Sequence, residues 1–154
     1  MPTFRYYSDV LAPIKTKLDG DARFGGRDIR VFYDRTEDRQ VNLDDMPCIQ
    51  YFLISPWDDT SVGVGNYSIK NRKYTLRVGL CLWVWNDNVE NMELTLDEVG
   101  GDLFDFLREH EYWDQSRQIV IGETINMDID YPRTADGKMV GAQMFTVTFD
   151  QWAA

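Results

Sequence analysis

Histidine, cysteine and long apolar runs are all scarce in this chain of 154 residues. It has one histidine, His110, and two cysteines, Cys48 and Cys81. Zinc sites use several Cys and His ligands, so this chain alone offers no zinc site of the usual kinds. Two cysteines do not make a disulfide framework, and their apolar, strand-like surroundings predict buried thiols. These scarcities exclude the small proteins that are held together by zinc or by disulfides.

Apolar residues never run far enough to predict a membrane helix. The longest run, Val78–Trp85, is far short of the roughly 20 residues that a helix needs to cross a bilayer. The first ten residues, MPTFRYYSDV, lack the apolar core of a signal peptide. Hydrophobic residues nevertheless make up 44% of the chain and aromatic residues 14%, which is typical of a globular protein with a real core. We therefore expect one domain, residues 1–154, and no membrane partner.

Basic residues are scarce in the second half of the chain. Residues 1–85 hold 12 Lys or Arg and 11 Asp or Glu, whereas residues 86–154 hold 4 and 15. The second half therefore carries nearly all of the net charge of −10. A surface of this kind repels phosphate. The charge distribution argues against ordinary nucleic-acid binding, which uses a basic footprint.

One long strand, YTLRVGLCLWVW from Tyr74 to Trp85, dominates the hydrophobic pattern. Side chains alternate along a strand, so this segment has one wholly apolar face. That face carries Tyr74, Leu76, Val78, Leu80, Leu82 and Val84. The other face starts polar, is bare at Gly79 and ends with Trp83 and Trp85. The first face predicts a core, and the second raises the question of what the tryptophans contact.

Helical periodicity occurs at two places. An N-terminal helix is predicted by a stripe of apolar residues, which are Tyr7, Leu11, Ile14 and Leu18. Pro13 lies close to the first turn of this helix or kinks it. Thr95 and Glu98 have capping-box spacing and predict an amphipathic helix over about 95–110. Residues 86–114 hold ten acids and one base, so the outer face of this second helix is strongly acidic.

Shorter strands are predicted on either side of these elements. IRVFYD and CIQYFLIS are typical of strands, and PWDDTSVGVGNYSIKNRK is typical of a long loop with a basic tip. IVIGETINMDID and AQMFTVTFD predict a C-terminal β-hairpin that turns at Asp136-Gly137, with Ile125, Met127 and Ile129 on one face. The predicted fold class is α+β: a mainly antiparallel sheet, with the N-terminal helix and the helix at about 95–110 packed on one face.

Candidate catalytic groups are few. His110 ends the acidic helix, where a histidine is more often a helix-end or core residue than a catalyst. Gly63-Val64-Gly65 opens onto no helical pattern, so we interpret it as a flexible loop and not as a phosphate loop. Asp128 and Asp130 lie on one strand face and could bind Mg²⁺ or Ca²⁺ or exchange protons, although a solvated strand face is favoured. We expect no catalytic residues and no cofactor.

The order of elements resembles that of the tail-terminator, or tail-completion, proteins of long-tailed bacteriophages and related tail-like particles. A helix leads into strands around RVFYD and MPCIQYFLI, and a long loop leads into YTLRVGLCLWVW. The helix LTLDEVGGDLFDFLREH then precedes a terminal hairpin that ends in GAQMFTVTFD. The resemblance covers nearly the whole chain as a pattern of elements, and it includes no short signature motif.

This resemblance implies a small α+β virion protein, made in the host cytoplasm, whose copies form a ring on the tail tube. The ring is typically a hexamer. It stops growth of the tube, presents a surface to the neck proteins of the head and lets DNA pass through its centre. The family has no catalytic residues to transfer to this sequence.

The aromatic end of the long strand agrees with a ring, because large aromatic side chains are enriched at protein interfaces. Trp83 and Trp85 contact either the N-terminal helix of the same chain or the next subunit. Lys70, Arg72 and Lys73 form a basic loop tip, which could be solvated, grip phosphate or meet the acidic helix of another copy. We predict a subunit interface that includes Trp83, Trp85, Arg72 and Lys73.

A channel for DNA works best if its wall does not bind phosphate, because basic contacts hold the duplex tightly. We predict that Glu123, Asp128 and Asp130 line such a channel, with the acidic helix as the alternative. Three other functions are considered: a stopper protein of the head–tail connector, an enzyme that uses Asp128 and Asp130, and a monomeric module. The monomeric module would be an adaptor, or an acidic DNA mimic that presents residues 97–109 in place of phosphates.

Overall fold

Five strands form one mixed sheet in the computed structural model, which describes residues 5–33, 43–61, 72–126, 129–132 and 138–152. The strands are β1 (Arg30–Tyr33), β2 (Cys48–Ser61), β3 (Arg72–Trp85), β4 (Ile119–Asn126) and β5 (Val140–Trp152). Their order across the sheet is β1-β2-β3-β5-β4. Strand β1 pairs parallel with β2, and the other neighbouring strands pair antiparallel. The predicted α+β class with a mainly antiparallel sheet is confirmed.

Two helices pack on one face of this sheet. The first is a π-helical turn, Tyr6–Leu11, that continues into α1, Ala12–Asp19. The second is α2, Val89–Glu109. Buried side chains of both helices join one face of β3 in a single core cluster, which includes Leu11, Ile14, Leu18, Leu76, Val78, Leu80, Leu82, Leu96, Leu103 and Phe106. The predicted core face of β3 therefore lies under the helices, as expected.

The π-helical turn ahead of α1 is consistent with Pro13, which has no N–H to donate to the carbonyl of Asp9 as an α-helix would require. The Asp9 carbonyl oxygen accepts a hydrogen bond from Trp113 Nε1 at 3.1 Å instead. The predicted apolar stripe is wrong at its first residue. Tyr7 is exposed and Val10 is buried, because a π-helical turn holds more residues than an α-helical turn.

Helix α2 begins earlier than the sequence predicts. Asn88 caps it, since its Oδ1 accepts hydrogen bonds from the backbone N–H groups of Glu90 at 2.9 Å and Asn91 at 3.2 Å. Thr95 lies inside the helix, where its hydroxyl donates to the carbonyl oxygen of Asn91 at 3.0 Å. The predicted start at Thr95 is wrong because the earlier cap satisfies two backbone donors and the added turns bury Met92.

β-bulges interrupt two of the strands. Strand β2 continues to Ser61 where the sequence predicts a loop, and it does so through register shifts that leave Pro56, which has no N–H, out of the ladder. Strand β4 has a register shift between Ile121 and Thr124. Beyond that shift Ile125 lies opposite Thr146 and is 48% exposed. The predicted shared face of Ile125, Met127 and Ile129 lies beyond this shift and stays a prediction, since Met127 is outside the described residues.

Both outer edges of the sheet are partly occupied by the chain itself. On β1, Lys15 Nζ donates to the carbonyl oxygen of Val31 at 2.9 Å. On β4, Ile119 exchanges backbone hydrogen bonds with Asp114, and the Ile121 N–H donates to the Glu111 carbonyl oxygen at 2.8 Å. These contacts use groups that a strand of another chain would otherwise pair with.

Some predicted features lie outside the described residues. They are Gly63-Val64-Gly65, Lys70, Met127, Asp128 and the turn at Asp136-Gly137.

Candidate functional site

The sheet face opposite the helices carries a second, smaller apolar cluster. Buried Phe52, Cys81 and Ala142 pack there with half-buried Trp83 and Met144. Strand register brings them together, since Trp83 lies opposite Ala142 and Cys81 lies opposite Met144. Neither α1 nor α2 contributes to this cluster, because the buried residues of both helices belong to the core on the other side. We call this surface the helix-free face, and we define it by Gln50, Phe52, Cys81, Trp83, Trp85, Ala142 and Met144.

The two tryptophans at the end of β3 are held by polar and charged groups, and α1 does not cover them. Trp83 Nε1 donates to Gln50 Oε1 at 3.1 Å. Lys138 Nζ lies 4.9 Å from the ring centroid of Trp85, a distance typical of a cation–π contact. Both rings remain half-buried. Of the two contacts expected for them, the N-terminal helix is excluded, and the neighbouring subunit stays a prediction.

Gly79 leaves room for an aromatic ring of the same chain. It lies opposite Phe52 in the pairing of β2 with β3. A Cβ atom on Gly79 would come within 2.5 Å of Phe52 Cζ, so the ring rests directly on the backbone of β3. Cross-strand aromatic residues commonly cover glycine in this way. The space left by the missing side chain of Gly79 is therefore filled by Phe52 of the same chain.

A shallow groove of about 950 Å³ runs along the helix-free face. Trp83, Ile125 and Met144 line it with apolar surface, and Asp130 adds a carboxylate. Cys81 also lines the groove, but burial raises the pKa of its thiol to about 12, so thiolate is scarce at neutral pH. Trp83, predicted at an interface, and Asp130, predicted at a channel wall, thus meet in one groove.

The other predicted site residues lie apart from this groove. Arg72 and Lys73 begin β3, and Trp83 and Trp85 end it, so about 30 Å of strand separates the two pairs. Lys73 Nζ lies 4.0 Å from an Asp150 carboxylate oxygen. The structure therefore does not bring the basic pair and the tryptophans into one site.

Glu123 lies at the bulge of β4, where its side chain is exposed. Its backbone N–H donates to Thr148 Oγ1 at 2.7 Å, which fixes the bulge to β5. Asp130 exchanges two backbone hydrogen bonds with Ala142 and is likewise exposed. Asp128, the third predicted channel residue, lies outside the described residues. Two of the three acids therefore have defined, exposed positions near β5.

His110 follows the last residue of α2 and packs on the helix, as the sequence predicts. Its ring centroid lies 4.5 Å from that of Phe106. Burial, followed by the positive charge of Lys17, lowers the pKa of His110 below its usual 6.5. The negative charges of Glu109 and Asp21 act in the opposite direction with smaller effects.

Sequence reasoning missed the groove residues Ile125, Ala142 and Met144, and the contact between Gln50 and Trp83. Each depends on which residues face one another across β2, β3, β5 and β4. The sequence did contain one usable signal. Gln50 and Phe52 are two residues apart in CIQYFLIS, so strand alternation places both on the same face of β2.

Comparison with known proteins names no family. No protein-family model matches the chain, and a search of the curated proteins finds no match. Over the ranges that the structure describes, no helix is long and apolar enough to cross a membrane. Among those same residues, no group of three or more His, Cys, Asp or Glu side chains is placed to hold a metal ion. Fold and site together define a small α+β protein with an apolar, helix-free sheet face.

Proposed function

We propose that this chain is a virion structural protein that forms a ring at the head-proximal end of a phage tail tube. The ring, a hexamer in the family that the sequence resembles, ends growth of the tube and joins the tail to the neck. Its partners are other copies of this chain, the tail tube protein and a neck or stopper protein. DNA passes through the ring without specific binding.

The helix-free face is the observation that carries this proposal. A β-sheet packs stably when its apolar faces are covered, and in the part of the chain that the structure describes the helices cover one face. Half-buried tryptophans and a groove of about 950 Å³ remain on the other face. Aromatic side chains with one polar contact, such as Trp83 with Gln50, are typical of interfaces. A subunit that is completed by its neighbours accounts for this surface.

The acidic second half of the chain supports passage of DNA. Phosphate is repelled by acidic walls, so the duplex stays hydrated and mobile. Glu123 and Asp130 are the described acids that we assign to the channel, and Asp128 is assigned with them from the sequence. Asp130 shares its groove with Trp83, so the proposed channel wall and the proposed subunit interface adjoin.

Substituting neighbouring residues on opposite faces of β3 tests the interface. We expect Trp83→Asp to keep the fold and abolish assembly, because a carboxylate at this half-buried position can reach water. Leu82→Asp is the matched control. Leu82 is fully buried, and an unpaired buried charge costs several kcal/mol, so this variant should unfold.

Circular dichroism melting curves report the fold. Light scattering at high concentration, together with electron microscopy of native particles, reports the rings. If Trp83→Asp lowers the melting temperature by tens of degrees, the residue belongs to the core, and the predicted interface at Trp83 is contradicted. A wild-type chain that remains a monomer or an isolated two-fold dimer in both settings would instead favour the monomeric module or another assembly.

A further inference from the structure

The outermost side of α2 differs from the rest of the helix surface. Seven exposed residues with helical spacing form it, and we call them the outer stripe: Glu90, Leu94, Asp97, Gly101, Phe104, Asp105 and Arg108. They point away from the buried side of the helix, which packs on the sheet. Leu94 is 60% exposed and Phe104 39%. Leu94 therefore stands among acids on the outer side of α2, and Phe104 stands at the border of the stripe, where it lines grooves with Ile121 and Phe145.

The acids of α2 fall into two sets. Along one flank, Arg27 pairs with Glu98 at 2.9 Å and Asp102 at 3.1 Å, and Arg23 pairs with Glu109 at 2.7 Å. On the outer stripe, Glu90, Asp97 and Asp105 form no ion pair with another described residue. The N-terminal part of the chain thus neutralises the flank, whereas the stripe, with three acids and Arg108, keeps a net negative charge.

Gly101 lies in the middle of the outer stripe with open space above it. A Cβ atom there would meet nothing within 4 Å, whereas one on the neighbouring Gly100 would come within 2.5 Å of Gln143 Oε1. Glycine is unfavourable in a helix interior. Packing within the chain explains Gly100 and does not explain Gly101, but close approach of another surface would.

The helix-free face has properties that complement this stripe. It is apolar and aromatic, with Trp83 in its small apolar cluster and Trp85 at the end of β3. Lys138 brings a positive charge over the ring of Trp85. Arg77 lies on the same side of β3, about 20 Å along the strand from Trp83, and Asp130 adds one carboxylate to the groove. A helix that carried acids, two apolar side chains and a glycine would complement the apolar surface and the charge of Lys138.

We propose that the outer stripe of α2 in one copy docks on the helix-free face of the next copy, with Gly101 facing the tryptophan rings. This inference rests on the proposed ring and assigns the two patches that meet in it. Each sheet would then lie between its own helices and α2 of a neighbour. The contact joins two different patches, so it is heterologous and propagates from copy to copy.

Two variants that each block one patch test this directly. Asp97→Arg with Asp105→Arg changes only exposed residues of the stripe, and Trp83→Asp changes only the helix-free face. We expect each variant alone to be monomeric at concentrations where the wild type assembles. An equimolar mixture should form a dimer of twice the 18.0 kDa chain, because one intact stripe still meets one intact sheet face. Light scattering and sedimentation velocity measure the mass.

Matched controls separate the stripe from charge in general. Asp44→Arg with Glu111→Arg makes the same change of charge at exposed positions outside the stripe, and it should leave assembly intact. Gly101→Ala adds a single methyl group. It should raise the melting temperature of the monomer by a few degrees, because alanine is the better helix former, and weaken assembly several-fold.

The outcomes separate this inference from the proposed function. If Trp83→Asp abolishes assembly while the Asp97 and Asp105 variant assembles normally, the stripe is not the partner patch, and the ring still stands. If the two blocked variants fail to form a dimer on mixing, the head-to-tail contact is overturned. A wild-type chain that forms no rings at high concentration or in native particles would overturn both.

Discussion

At the residue scale, the contact between Phe52 and Gly79 leads to a prediction about stability. Gly79→Ala places a methyl group against the buried Phe52 ring. Moving that ring should cost about 1–3 kcal/mol of unfolding free energy. Gly101→Ala is the control, because it meets no atom and should stabilise the fold by up to about 1 kcal/mol. Urea unfolding measures both, and equal shifts would show that Phe52 does not depend on Gly79.

His110 predicts how stability depends on pH. Its folded-state pKa is lowered below 6.5, so the unfolded chain binds the proton more readily. Stability should therefore rise with pH through the range just below about 6.5 and level off above it. His110→Gln should remove this slope, and no other histidine in the chain titrates there.

Urea midpoints across this range measure the slope in the wild type and in the variant. A nuclear magnetic resonance titration of the single imidazole gives the folded-state pKa independently. An unchanged slope in His110→Gln would assign the pH dependence to carboxylates instead.

At the element scale, the start of α2 depends on Asn88. Asn88→Ala removes the acceptor for two backbone N–H groups and should cost about 1 kcal/mol. Thr95→Ala should be neutral or slightly stabilising, because Thr95 lies inside the helix and alanine has the higher helix propensity. Thermal melts of the two variants decide the point. The reverse order of effects would mean that the helix begins at Thr95 after all.

The sequence predicted the elements more reliably than their ends. Strand β3 and the buried side of α2 follow from strict periodicities, which need no knowledge of neighbours. The start of α2 was mistaken because Thr95 and Glu98 have the spacing of a capping box. The face of Ile125 could not be read, because the bulge in β4 depends on its pairing with β5.

The sequence predicted which face of β3 carries the tryptophans of the candidate site, but not what surrounds them. Alternation along β3 places Trp83 and Trp85 on the face away from the core. What lies over that face depends on where the helices pack, and a single strand does not contain this information. The contacts with Gln50 and Lys138 come from tertiary structure in the same way.

At the scale of the whole molecule, the acids near β5 lead to a prediction about DNA. We expect Glu123→Lys with Asp130→Lys to leave rings and tails intact and to slow DNA ejection, because the new cations would bind phosphate. Ejection from purified particles is the measurement, with Glu123→Gln and Asp130→Asn as a control that removes charge without adding basic groups. Normal ejection from particles shown to carry the lysine variant would remove these residues from the channel.

Asp130 also distinguishes the two adjoining surfaces, because it shares a groove with Trp83. If Asp130→Lys alone prevents rings from forming, the residue belongs to the subunit contact. If rings form and only ejection is impaired, it belongs to the channel wall.

The two occupied edges of the sheet have a consequence for how copies can join. Lys15 takes a carbonyl group of β1, and residues 111–114 take backbone groups of β4. In the proposed ring, the sheets of neighbouring copies would then stay separate. Side chains would join them, and no backbone hydrogen bonds would run from one sheet to the next. A misplaced copy could then leave without breaking backbone hydrogen bonds between strands, and the partly occupied edges would disfavour fibres that grow by strand pairing.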